Sequence, residues 1–221
     1  MSIELKERII TSLFLLILLI LMFFYSFVMI TSLIVIAIIT WIEFYALISK
    51  IFTKNSLKEK SSRFLFKSIS LLYLSCLIYF IFSIESHYTD SKIVLLYSIL
   101  VAIMPDVGGL VFGKIFKGKK LTKISPNKTI SGSIGSFLFA LFLIPFFLNE
   151  LNQESFLILV IITLAISLSS QLGDLFISLL KRKAKVKNTS DLLPGHGGLL
   201  DRIDGIIFAI PIGIIIFNFF I

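Results

Sequence analysis

Residues 171–205 read QLGDLFISLLKRKAKVKNTSDLLPGHGGLLDRIDG and join two long apolar runs, about 155–180 and 205–221. The stretch holds four acids, six bases, one of the two histidines and five glycines. Asp174 sits towards the end of the first apolar run, and Lys181, Arg182, Lys183, Lys185 and Lys187 follow it. The turn Pro194-Gly195-His196-Gly197-Gly198 then leads to Asp201, Arg202 and Asp204. Acids that can hold a metal, bases that can hold phosphate and glycines that admit close backbone approach are thus gathered at the edge of apolar segments.

The rest of the chain fixes what those segments are. Of 221 residues, 57% are hydrophobic and 15% charged, more apolar sequence than a soluble domain of this size can bury. Runs of about 18 or more apolar residues indicate membrane-spanning helices. The expected spans are 9–25, 27–48, 68–84, 93–112, 133–148, 155–180 and 205–221, with a very tight turn at Tyr25-Ser26. Basic loops are expected at 50–67, 113–132 and 181–204, and short mixed or acidic loops at 85–92 and 149–154. Span four is expected to break at Pro105-Asp106 and Gly108-Gly109, because proline removes a helix hydrogen bond. No small-residue cleavage site follows the first run, so it does not read as a secretory signal. Cys76 is the single cysteine and can form no internal disulfide. The expected fold is all-α: a polytopic transmembrane helix bundle of about seven spans, with N-terminal spans in 1–100 and a catalytic region in 101–221.

Charge sets the expected orientation. With the N-terminus in the cytoplasm, Lys6, Arg8 and six bases in each long loop lie inside, and Lys92 is the only base outside, beside Glu85, Asp90, Glu150 and Glu154. This is a strong positive-inside pattern. It explains the net charge of +8 through orientation and anionic headgroups, with no nucleic-acid partner. The expected location is an inner (cytoplasmic) membrane, with the long charged loops facing the cytoplasm.

Ionisable groups inside spans default to function. Glu43 reads equally as a snorkelling or helix-paired carboxylate and as a site residue. Asp106 follows a proline and precedes Gly108, Gly109 and Gly113, which favours a site role, although the glycines alone would suit helix packing. Helical spacing puts Asp174, Ser178 and Lys181 on one face. Asp201 and Asp204 would favour a helix dipole, but with Asp174 and the nearby cations they read as metal ligands. Hard oxygens beside phosphate-binding bases suit magnesium, and no Cys/His set for zinc exists. His196, between glycines, is placed to hydrogen-bond a ligand. Ser125-Pro126-Asn127-Lys128-Thr129 and Gly132 form a polar turn before span five, equally adequate as a solvated basic loop.

Ser178-Leu-Leu-Lys181-Arg182, followed by Leu193-Pro-Gly-His196-Gly197-Gly198-Leu-Leu-Asp201-Arg202-Ile-Asp204, resembles the signature of phosphatidate cytidylyltransferases (CDP-diacylglycerol synthases). Asp106-x-Gly-x3-Phe-Gly113, Ser125-Pro-x-Lys128-Thr129-x-x-Gly132 and Leu172-Gly173-Asp174 resemble three more blocks of that family, in order. The match covers roughly the C-terminal half; the first hundred residues match only in being apolar. The resemblance implies attack of phosphatidate on the α-phosphorus of CTP, giving CDP-diacylglycerol and pyrophosphate. It implies Mg2+, with a monovalent cation such as K+, at Asp174 and Asp201. Lys128, Lys181, Arg182 and Arg202 would hold phosphates, and Ser125, Thr129, Ser178, Gly197, Gly198 and Asp106 would lie with them in substrate binding. CTP and membrane phosphatidate are the partners, and a homodimer is left open. Three positions depart from the family: Asn188 and Ile177 stand where an acid is usual, and Ser131 where Glu or Gln is common. The chain is also shorter than usual for the family. A related CTP-dependent lipid-phosphate cytidylyltransferase or lipid kinase, a non-catalytic paralogue and a transporter are the alternatives; the last leaves the clustered bases unexplained.

Overall fold

The computed structural model describes residues 3–87, 91–151 and 155–220. Asp90 and Glu154, expected in the outer loops, lie outside these residues. The described chain is helical, with no strands, in the order α1 (Ile3–Phe24), α2 (Ser26–Ile51), α3 (Leu57–His87), α4 (Ser91–Phe116), α5 (Ile130–Leu141), α6 (Ile144–Phe147), α7 (Phe156–Lys183), α8 (Leu200–Ile203) and α9 (Ile206–Phe220). Among the described residues six stretches of helix are long and apolar enough to cross a membrane, α5 and α6 together counting as one. α9 has 15 residues and falls short of that length. The protein is an all-α, polytopic membrane protein. Ile10, Phe14, Phe24 and Phe27 are exposed along α1 and α2, a surface that hydrocarbon covers and water would not tolerate.

Several boundaries differ from expectation. α3 begins at Leu57, so Lys58, Lys60, Arg63 and Lys67 stand on a helix and not in a loop. The cause is a cap: the Glu59 amide donates to Ser56 Oγ at 3.3 Å, and Glu59 Oε2 accepts the Lys54 amide at 2.8 Å. This is close to a capping box, and Ser56-x-x-Glu59 is its sequence signature. Span four does not break. α4 runs through Pro105, whose carbonyl accepts Ser136 Oγ at 2.6 Å. Span five does break, between α5 and α6. The Tyr25-Ser26 turn reduces to one non-helical residue, Tyr25.

The chain forms two compact units, Met1–Ser83 with Leu180–Ile203, and Ile84–Leu179 with Asp204–Ile221. In the second, Tyr97, Val101, Leu159, Ile162, Ile166 and Phe217 are fully or almost fully buried. Hydroxyls join its helices: Tyr97 to Thr163 at 2.5 Å, and Ser170 Oγ to the Ala102 carbonyl at 2.8 Å. Such small polar links are typical of helix packing in lipid.

The glycines of α4 serve packing. A Cβ on Gly108 would lie 2.5 Å from the Gly135 carbonyl oxygen, and one on Gly135 would lie 2.8 Å from Phe112 Cδ2 and collide with Phe112 Cβ. Gly135→Ala is therefore expected to force α4 and α5 apart and cost about 1–3 kcal/mol. Thermal unfolding in detergent should show the lower midpoint; an unchanged midpoint would show that the helices are not held this closely.

Candidate active site

In the first unit the site is built on the loop 184–199. α7 ends through two bonds, Val186 N to Lys181 O at 3.0 Å and Lys185 N to Arg182 O at 3.1 Å. With Lys185 at φ 55°, this is a Schellman ending in which lysine takes the place usual for glycine. Further on, the amides of His196 and Gly197 donate to the Leu193 carbonyl, and the Leu193 amide donates to Gly197 O at 2.7 Å. Gly195 and Gly197 have φ of 71° and 84°, the left-handed region that glycine enters without strain. The turn therefore requires these glycines.

Asp201 is the centre of the loop, with its side chain only 7% exposed. Its Oδ1 accepts Lys181 Nζ at 2.6 Å. Its Oδ2 faces the Thr189 amide at 2.8 Å, the Thr189 hydroxyl at 3.0 Å and the Gly198 amide at 3.1 Å. Burial alone would raise this carboxyl. The Lys181 hydrogen bond, the Thr189 amide, the Lys181 charge and the Gly198 amide outweigh burial and hold the carboxyl below its usual 3.8.

Glu43, from α2, organises the same loop. It is 4% exposed. Oε1 accepts Ser190 Oγ at 2.6 Å and the Leu199 amide at 3.0 Å. Oε2 accepts Thr189 Oγ1 and the Leu200 amide, both at 2.8 Å. Four donors fill the acceptor sites of one carboxylate, and the two amides lie at the start of α8, where a helix leaves donors unpaired. Thr189 Oγ1 touches both Glu43 and Asp201, so α2 is linked to Asp201 through a single hydroxyl. Ser190 and Thr189 were not legible as site residues, because their partner is more than a hundred positions away.

α1 holds the turn from another side. Arg8 Nε donates to Gly195 O at 3.1 Å, Thr11 Oγ1 to Pro194 O at 3.0 Å, and Ser12 Oγ lies 3.4 Å from His196 Nε2. Arg202 donates from Nε and Nη2 to His196 O, at 3.1 and 2.6 Å, so part of its guanidinium holds the loop. Burial pushes the His196 imidazole below its usual 6.5, as do the Arg202 and Arg8 charges; the Pro194 backbone opposes them in part. His196 is therefore neutral at pH 7.

These two shifts predict a pH response. His196 is harder to protonate in the folded loop, so the loop loses stability as pH falls below about 6.5. The folded loop favours ionised Asp201, a contribution present above about 3.8 and lost as pH falls further. Protection of the amides of residues 188–199 from hydrogen exchange, taken relative to the intrinsic rate at each pH, is expected to fall in two steps between pH 8 and pH 3. His196→Asn should remove the upper step; its persistence would assign that step elsewhere.

In the second unit, Lys128 Nζ is paired with Asp174 Oδ2, and Ser178 Oγ donates to Asp174 Oδ1 at 3.3 Å. Asp174 is 20% exposed at its side chain. Lys128 comes from the loop before α5, which is folded back by Leu121 N to Lys128 O at 2.7 Å and Ile130 N to Lys119 O at 3.0 Å. Thr129 caps α5, its Oγ1 accepting the Gly132 amide at 3.0 Å, and the Lys128 amide donates to Ser125 O. Asp204 is 9% exposed and its Oδ1 accepts the Gly205 amide at 2.9 Å. Asp106 and Arg182 are exposed, on α4 and in the last turn of α7.

The structure thus joins Lys181, Asp201, Gly197, Gly198, His196 and Arg202 in one loop, and Lys128, Asp174 and Ser178 in another cluster. The amides of Gly197 and Gly198 are spent within the loop, on Leu193 O and Asp201, so these glycines act by conformation and close approach. A Cβ on Gly198 would strike the Thr189 hydroxyl and lie 2.6 Å from Glu43 Oε2. The departures have local places too. Ile177 is 1% exposed, Ser131 Oγ donates to the Lys117 carbonyl, and exposed Asn188 abuts Gly197.

The donors suit a hard cation. Among the described residues no three of His, Cys, Asp and Glu gather as a ready cation cage. Yet Asp174 and Asp201 are carboxylates that each already carry an ammonium. Asp174 Oδ1 has only a long hydroxyl contact, and Asp201 Oδ1 has a single donor, so each has acceptor capacity left. Magnesium, which keeps several waters and can use a single carboxylate with substrate oxygens, fits either carboxylate taken by itself.

A model of the cytidylyltransferase family matches residues 3–220. A phosphatidate cytidylyltransferase of Staphylococcus haemolyticus (strain JCSC1435) is 39% identical over 127 residues, 56% of this chain and 48% of the relative. A phosphatidate cytidylyltransferase of Staphylococcus aureus (strain COL) is 34% identical over 174 residues, 77% of this chain and 64% of the relative. The chain therefore spans about half to two thirds of the length of these relatives. The family match reaches the N-terminal helices, whose Arg8, Thr11 and Glu43 grip the signature loop, and on that match the chain belongs to the cytidylyltransferase family.

Proposed function

We propose that this chain is a membrane-embedded CTP:phosphatidate cytidylyltransferase. A phosphate oxygen of phosphatidate forms a bond to the α-phosphorus of CTP. The bond from that phosphorus to the oxygen bridging to the β-phosphate breaks, and pyrophosphate leaves with its electron pair. CDP-diacylglycerol remains in the membrane.

The observation that carries this reading is the buried Lys181–Asp201 pair, at 2.6 Å, inside a glycine turn. Lys181 commits one of its three ammonium donors to Asp201; the others can meet phosphate oxygens. Lys128, Arg182 and Arg202 add positive charge for the triphosphate and the lipid phosphate. The attacking oxygen is already anionic, so no protein nucleophile or general base is required, and neutral His196 serves by hydrogen bonding. Asp174 and Asp201 are the carboxylates that would hold Mg2+ or K+, and such cations would supply neutralisation of phosphate charge. Phosphoryl-type transfer asks a protein mainly for positioning and electrostatics. The positive-inside pattern supports a site open to cytoplasmic CTP.

The test uses the full chain in detergent with magnesium, CTP and a panel of phosphatidate, polyprenyl phosphate, polyprenol and diacylglycerol. Pyrophosphate release with phosphatidate is expected. CDP release with a lipid alcohol would replace this reading by a kinase, and pyrophosphate release only with polyprenyl phosphate would change the acceptor.

A further inference from the structure

A cleft of about 340 Å³ lies between α2 and α3, away from the signature loop in sequence and lined by none of its residues. Its bases are Lys60, Arg63 and Lys67, which stand at i, i+3 and i+7 and so share one face of α3. Trp41 and Tyr45 face them from α2, and Lys67 Nζ sits 3.1 Å from the centre of the Tyr45 ring. On α3 the lining also includes Phe64, between Arg63 and Lys67, and Leu71, one turn beyond Lys67, 74% and 47% exposed.

Among the described residues no acid lines the cleft. Glu59, the acid beside Lys60 in sequence, accepts the Lys54 amide in the α3 cap. Three cations on one helix face repel one another; the Tyr45 ring meets the Lys67 ammonium, and no carboxylate among the described lining residues neutralises any of the three. Arg63 adds a second sign. Its Nη2 donates to the Phe52 carbonyl, while its Nε is buried with no hydrogen-bond partner. A buried donor left unmade is costly and calls for an acceptor. The cleft is thus cationic at the charged end of α3 and greasy towards the membrane-spanning part, with aromatic rings of the kind that sit at the headgroup level.

We infer that this cleft binds the phosphate of an anionic phospholipid from the surrounding bilayer, with its acyl chain along Phe64 and Leu71. The ligand is a lipid phosphodiester, and its site is separate from the CTP-binding loop. The inference does not depend on the proposed reaction, because binding is read without CTP and with a lipid that is not the proposed substrate.

The test is native mass spectrometry of the full chain in detergent, titrated with phosphatidylglycerol, phosphatidylcholine or inorganic phosphate. Phosphatidylglycerol is expected to bind at least tenfold more tightly than phosphatidylcholine, and inorganic phosphate not to displace it. Lys60→Gln/Arg63→Gln should weaken phosphatidylglycerol at least tenfold, while Lys119→Gln/Lys120→Gln, in the other basic loop, should not. Lys60→Gln alone, which leaves the Arg63–Phe52 bond in place, should give a smaller loss in the same direction and guards against misfolding of the double variant. Equal binding by the parent and both cleft variants would overturn the site. Equal loss in the Lys119/Lys120 control would reduce it to general surface charge, and displacement by inorganic phosphate would overturn the lipid assignment.

Discussion

Glu43→Ala is expected to free the loop 189–200 and lower cytidylyl transfer more than a hundredfold. The alanine leaves the Leu199 and Leu200 amides and the Thr189 and Ser190 hydroxyls without their acceptor. An unsatisfied buried donor costs about 1–3 kcal/mol. The hydroxyls can turn to other partners, but the two amides cannot, so the loss should be about 2–6 kcal/mol. Glu43→Gln should fall between parent and alanine: its oxygen keeps two donors, but its amide nitrogen meets the Leu199 or Leu200 amide donor to donor. The loss should appear as faster hydrogen exchange at 189–200 together with lower turnover. Normal exchange in Glu43→Ala would show that α2 does not hold the loop.

Asp201→Asn should abolish magnesium-dependent turnover. If its oxygen takes the Thr189 and Gly198 donors, its NH2 group faces the Lys181 ammonium, and a buried cation loses its counter-charge. Breaking a buried pair costs about 3–5 kcal/mol; with side chains 15% and 7% exposed, the lower end applies, and the helices should remain folded. Asp174→Asn should also abolish turnover at less structural cost, since that pair is 30% and 20% exposed. Near-normal activity in either variant would remove that aspartate from the site.

What could be read from the residues follows from range. Apolar runs, the basic loops and the glycine turn are local patterns, so six of the expected spans reappear as membrane-length helices. The start of α3 was also local, written in Ser56-x-x-Glu59, but the bases of 58–67 read more strongly as loop. The ending of α7 carried no glycine to announce it. Pro105 marked a break that packing against α5 overrides. Glu43 was an unexplained acid in a span, and its partners lie 146 to 157 positions away. No periodicity encodes such a pairing. Asp174, Lys181 and Asp201 stood out in the sequence by residue type and spacing; the Lys128–Asp174 and Lys181–Asp201 pairings required the fold.

The most direct test of the account follows the phosphorus. The full chain in proteoliposomes containing phosphatidate is supplied with magnesium and CTP radiolabelled at either the α- or the γ-phosphate. The account predicts that α-label enters the lipid fraction as CDP-diacylglycerol and that γ-label leaves in pyrophosphate. Appearance of γ-label in the lipid, or no transfer of α-label by folded, membrane-inserted protein, would contradict it.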